Sequence, residues 1–203
     1  MFKGVRVLLG VCLVAAASHV MAREEQVELR NELVELKNVE TYLDGLRSLQ
    51  ATFQQIDPDG RVRKGTFYLQ RPGKMRLKYE GSPQTVLADG NFLIFNNPDL
   101  DEVTQVPLDS TPAQFLLADH VSFGKDAYVT DFKEKNGKVY LSLVRADDPD
   151  AGRLTLIFRS HPLQLQEWEI SDPNQRPTHV FLENVTNNVR LDPSLFTFDR
   201  GRY

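Results

Sequence analysis

Cysteine is nearly absent from this chain of 203 residues: the single one, Cys12, lies in an apolar N-terminal run. Val11 precedes it, where an acyl-attachment signal would carry a small residue, so Cys12 reads as part of an ordinary leader. Without it no disulfide framework is available, and the remaining domain must be held by its apolar core. Histidine is equally scarce. His19 falls in the leader, and His120, His161 and His179 stand at no metal-ligand spacing, so we expect no metal centre. No serine stands in a Gly-x-Ser-x-Gly elbow. Basic charge is not in excess, with 24 Lys and Arg against 28 Asp and Glu. Removing Lys3 and Arg6 with the leader leaves 22 against 28, a net charge of −6. That balance does not suit nucleic acid or an anionic lipid surface. The apolar run at 7–17 is also shorter than the roughly 20 residues a spanning helix needs.

What is present begins with a secretory leader. Lys3 and Arg6 form its basic region, Val7 to Ala17 its apolar region, and Val20-Met21-Ala22 its cleavage site, so export with cleavage after Ala22 is expected. From Glu24 to Leu46, Leu29, Leu33, Leu36, Val39, Leu43 and Leu46 recur every three or four positions, the stripe of one amphipathic helix. After Leu49 the period changes to that of strands. They are expected at 49–55, 61–71, 74–80, 84–89, 92–96 and 102–107, then 127–134, 138–146, 152–159, 163–171 and 177–187. Asp57-Pro-Asp-Gly60, Pro72-Gly73, Asp89-Gly90, Asn97-Pro98, Asn136-Gly137, Asp147 to Gly152 and Asp172-Pro-Asn174 punctuate them. Such short connections leave no room for crossover helices, so the sheet is antiparallel. The fold class is mainly β (α+β). A curved antiparallel sheet of about eleven strands forms an incomplete β-barrel, covered by an N-terminal helix and short lid helices. Residues 23–203 read as a single domain.

The break between the two strand series carries Ser110-Thr111-Pro112, a helix start, followed by Phe115, Leu116 and Leu117. A helix so short and apolar must bury these side chains, as a lid over the sheet does. A second turn at Asp192-Pro193-Ser194 brings in Leu195, Phe196 and Phe198. Alternation points Phe53, Phe67, Leu69, Met75, Leu77, Phe92, Ile94, Leu141, Leu143, Leu154 and Leu156 inward. They serve a filled core or a ligand cavity equally well on pattern alone. Glu167 and Glu169 alternate with Trp168 and Ile170 and so are expected to face water. No catalytic constellation emerges; neither enzymatic activity nor a cofactor is expected. One residue breaks the polarity rule. Arg71 follows Phe67 and Leu69 onto the apolar side, whereas Arg76 and Lys78 take the polar side. An unpaired charge there is costly, so Arg71 either bends out to water at the strand's end or takes partners, lid carbonyls or loop polar groups being the nearest candidates.

The stretch FYLQRPGKMRLKYEGSPQTVLADGNFLIFNNPDLDEVTQVPL (67–108) resembles the central segment of the outer-membrane lipoprotein carrier family, LolA. The likeness lies in Arg71-Pro72, the basic-aromatic strand Arg76 to Tyr79, Val86 to Gly90, and Asn97-Pro98. The strand LQATFQQ (49–55) and the closing DPSLFTF (192–198) stand where that family has them. The resemblance implies a monomeric periplasmic carrier whose cavity takes the acyl chains of lipoproteins. An inner-membrane lipoprotein-releasing ABC transporter would supply them, and an outer-membrane lipoprotein receptor would accept them. It also implies that Arg71 latches the lid until cargo opens it. Family members continue past the FTF strand with a proline-containing tail that Asp199-Arg-Gly-Arg-Tyr203 does not match, so tail contacts are not carried over. The alternative is a periplasmic lipid- or protein-sensing regulatory domain of the same fold.

Overall fold

The computed structural model describes residue 26 and residues 30–125, 127–171 and 177–198. The leader expected at 1–22, Leu29, the turn at 172–174 and residues 199–203 lie outside the described residues. Backbone contacts divide the chain into two units, Met1–Asn38 and Val39–Tyr203. Residues 30–45 are helical (α1). In the first unit Leu33 and Val34 are exposed. In the second, Val39, Leu43 and Leu46 are buried. Of the expected stripe, Leu33 is exposed, Leu36 half-buried, and Val39, Leu43 and Leu46 buried.

Among its described residues the second unit holds eleven strands. The first six are β1 (Ser48–Ile56), β2 (Val62–Gln70), β3 (Lys74–Tyr79), β4 (Thr85–Asp89), β5 (Phe92–Asn97) and β6 (Glu102–Pro107). After α2 (Gln114–Leu117) come β7 (Ala127–Lys135), β8 (Lys138–Arg145), β9 (Arg153–Arg159), β10 (Gln164–Ser171) and β11 (Thr178–Asn187). They form one antiparallel sheet in the order β6-β5-β4-β3-β2-β1-β11-β10-β9-β8-β7. The chain thus builds two meanders and joins them by pairing β1 with β11. The edges β6 and β7 are consecutive in sequence but unpaired with each other, so the barrel is incomplete, and the connection carrying α2 starts and ends at its open seam.

Turn chemistry sets the hairpins. Asn136 and Gly137 both have positive φ, 55° and 72°, as a two-residue type I′ turn demands. Close packing uses one glycine. Gly65 pairs with Phe53 and Tyr79, and a Cβ there would lie 2.0 Å from the Lys78 carbonyl oxygen and 2.8 Å from Phe53. Its absence lets the Phe53 and Tyr79 rings meet edge to face at 5.3 Å.

The pairing register defines an inner face. Leu49, Ala51 and Phe53 share it with Phe67, Leu69, Met75 and Leu77, and across β11 with Val180 and Leu182. On the other side Trp168 faces Leu156, and Leu156 faces Leu141. A flat sheet would hold β5 and β10 about 29 Å apart over six strand spacings. Yet Phe95 and Trp168 line one cavity, so the sheet is strongly curved.

Phe92 and Ile94 correct the sequence reading. Leu87 pairs with Ile94, and both cluster with Phe196 on the outer face; Phe92 shares that parity and is exposed. Leu93 and Phe95 are the inward residues of β5. The run Phe92-Leu-Ile-Phe95 is apolar on both parities because Ile94 is covered on the outer side while Leu93 and Phe95 line the cavity on the inner side. The 3-10 turn Pro193–Phe196 covers the outer side, and Asp192 caps it by accepting from the Ser194 amide at 2.9 Å. The hydroxyls expected to cap α2 also act elsewhere. Ser110 and Thr111 donate back to the Pro107 and Leu108 carbonyls, stabilising the preceding 3-10 turn Leu108–Ser110.

Candidate functional site

The inner face is closed at one side and open at the other. Phe67, Leu69, Leu141, Leu143, Leu154 and Leu156 are fully buried, a filled core. Towards β3–β5 and β10–β11 the packing gives way to a cavity of about 450 Å³. Its apolar wall includes Met75, Leu77, Tyr79, Val86, Leu93, Phe95, Trp168, Ile170 and Val180. That size suits a small-molecule or chain-like ligand. Of the eleven residues read as inward, Met75 and Leu77 border the cavity and Phe53 packs beside it against Tyr79.

Sequence reading placed Trp168 by parity but gave it no role. In the fold its ring sits 4.8 Å from that of Phe67, between filled core and cavity. Its neighbour Glu167 does not reach open water as expected. It is buried on the outer face, 3.9 Å from Lys138 Nζ and 3.6 Å from His179 Nδ1. Burial pushes its carboxyl up from the ordinary value, with Lys138 and His179 opposing.

The short apolar helix lies where its sequence predicts. Phe115, Leu116 and Leu117 of α2 are all buried, and Ala113, just before the helix, lines the cavity. A second hollow of about 400 Å³ runs along the rim between α2 and the turns at Pro72-Gly73 and Gly90-Asn91. The Gly73 amide donates to the Leu117 carbonyl at 2.7 Å, tying the β2–β3 turn directly to the lid.

Arg71 stands beside that tie and is 5% exposed. Its Nε donates to the Ala118 carbonyl at 2.5 Å, just past the end of α2, and its Nη1 donates to the Leu43 carbonyl near the end of α1. Both acceptors are at helix C-termini, where backbone carbonyls keep lone pairs for outside donors and the dipole favours a cation. One guanidinium thus pins two helix ends to the end of β2. Burial pulls it below the ordinary arginine value, Asp44 opposing, Arg47 adding to the pull and Asp119 opposing. It stays charged at any working pH. Next to it Arg47 Nη1 meets Asp119 Oδ1 at 2.7 Å, and the Val121 amide donates to Asp44 at 3.3 Å, so the segment leaving the lid is fastened to the end of α1 as well. Exposed pairs of this kind contribute little individually.

These features define a class: an open antiparallel β-barrel with an apolar cavity and a short buried apolar helix at its seam. A family model described as Outer membrane lipoprotein carrier protein LolA matches residues 44–199, and the chain belongs to that family. An outer-membrane lipoprotein carrier protein of Methylococcus capsulatus is 33% identical over 170 residues, covering 79% of this chain and 81% of the relative. One from Alkalilimnicola ehrlichii is 31% identical over 207 residues, covering 95% and 88%. Among solved structures, a LolA superfamily protein from Nitrosomonas europaea aligns with a TM-score of 0.44 at 12% identity, over 80% of this chain and 97% of that one. The Pseudomonas aeruginosa MucA/MucB complex aligns at 0.46 and 14% identity, over 83% and 61%.

Proposed function

We propose that this protein is a periplasmic carrier that takes the acyl chains of lipoproteins into its cavity and moves them from the inner to the outer membrane. Family membership supports the carrier role; the observation that carries it for this chain is the buried Phe115–Leu117 lid, held by Arg71 beside an apolar cavity. An acyl chain of about 16 carbons prefers an apolar site over water by on the order of 10 kcal/mol, at roughly 0.8 kcal/mol per methylene. A soluble carrier must match that refuge and still let the cargo go. A lid that surrenders its own apolar contacts on loading lowers the net affinity to a releasable level. In this reading an inner-membrane releasing transporter loads the carrier and an outer-membrane receptor accepts the cargo.

The test is release of a labelled lipoprotein from spheroplasts, with and without the purified protein. Release that depends on the protein is expected; none would refute the reading. A photocrosslinker at position 115 should label different barrel residues with and without cargo, and identical labelling would refute the moving lid.

A further inference from the structure

The cavity is not apolar throughout. At one end Gln55, Asp57 and Arg63 stand on its wall, brought there by the register that pairs Gln55 with Arg63. Arg63 sits over the Tyr79 ring, its guanidinium carbon 4.5 Å from the centroid. Its Nη2 donates to Asp57 Oδ1 at 2.7 Å and its Nη1 to Gln84 Oε1 at 3.3 Å. Nε is buried with no hydrogen-bond partner among the described residues. Asn97, inward by parity with Leu93 and Phe95, also lines the cavity, and its Oδ1 is likewise buried and unpartnered among the described residues. Buried polar atoms are nearly always paired, so two such atoms at one end of an apolar cavity mark a place where an occupant supplies partners.

Their chemistry specifies the occupant. One donor and one acceptor are offered, while the Arg63 charge is already matched by Asp57, and Glu102 adds a further negative charge to the wall. A free anion gains little here; an uncharged carbonyl oxygen gains a donor. We propose that this end is a head subsite for the neutral ester and amide linkages that join acyl chains to their backbone, with the chains lying on Met75, Leu77 and Trp168. The inference rests on the carrier reading and adds an orientation to it: acyl tails inward, linkages at Arg63.

Trp168 is the only tryptophan and lines the cavity, so its fluorescence reports occupancy. The full chain and Arg63→Lys are titrated with a tripalmitoylated cysteinyl peptide, hexadecane, palmitate and methyl palmitate. Lysine keeps a cation opposite Asp57 but has no Nε. The variant should bind the acylated peptide about tenfold more weakly, the scale of one buried hydrogen bond, and hexadecane unchanged. Unchanged peptide binding, or equal loss for peptide and hexadecane, overturns the subsite and leaves the carrier reading standing. Palmitate bound more tightly than its methyl ester overturns the preference for an uncharged head. Failure of the wild-type chain to bind the acylated peptide overturns the carrier reading and this inference with it. If the lysine variant folds poorly, Asn97→Leu must show the same selective loss.

Discussion

Replacing Arg71 with leucine is the sharpest test of the latch. The substitution removes two charge-assisted hydrogen bonds, to Ala118 and Leu43. Each contributes about 1.5–3 kcal/mol. Against that stands the cost of burying a guanidinium whose Nη2 has no partner among the described residues, which leucine does not incur. A net loss of about 2 kcal/mol is the reasonable scale, equivalent to roughly a 30-fold shift in an equilibrium. It falls mainly on the lid, because Leu43 still accepts the Leu46 amide at 3.1 Å. The readout is hydrogen exchange at the Gly73 amide, which donates to Leu117 of the lid. In Arg71→Leu it should exchange on the order of tenfold to a hundredfold faster, while amides in the β1–β11 ladder keep their protection. The lid would then favour the open state, and release of bound lipoprotein to an acceptor should be impaired although the protein folds. Unchanged exchange at Gly73 together with normal transfer would refute the latch and leave Arg71 a strand-end charge.

Two further outcomes follow from the packing. Ile94→Ala should cost about 2–5 kcal/mol in denaturant unfolding, because it opens the outer cluster with Leu87 and Phe196, yet leave acyl binding unchanged. Leu93→Asn, on the opposite face, should weaken binding measured by Trp168 fluorescence, and the reverse pattern would show the β5 register to be wrong. Glu167 is raised in the folded state by burial, so the folded protein binds more protons than the unfolded chain just above the ordinary carboxyl range. The stability it contributes is present below about pH 4.3 and lost as pH rises through its folded value. Glu167→Gln removes that loss, so its melting temperature relative to wild type should climb between pH 4 and 7; a decline would show that Lys138 and His179 outweigh burial.

Much of the scaffold was legible because local rules act on every residue. The eleven strands follow from period-two alternation and turn chemistry, and Asn136-Gly137 dictates its hairpin through positive φ alone. The apolar triplet Phe115–Leu117 announces a buried helix because no short helix leaves such side chains in water. Reading stopped where both parities were apolar. Phe92 to Phe95 offers no phase, and only the covering by Phe196 decides that Leu93, not Ile94, faces the cavity. The polar end was missed for another reason. Asp57-Pro-Asp-Gly60 is the turn it was read to be, closed by the Gly60 amide on the Asp57 carbonyl, but Asp57 also pairs with Arg63 across the hairpin.

Alternation alone determined that Arg71 falls in step with the apolar side, since the pleat carries it there with Phe67 and Leu69. Which partners it takes was decided only by tertiary structure. Leu43 and Ala118 are 28 and 47 residues away, and they meet at one guanidinium because the sheet curves and its open seam receives the lid. The same holds for the cavity. Each strand's inner residues follow from its own sequence, but whether those faces interlock or leave room depends on curvature summed over eleven strands, a quantity no single segment encodes.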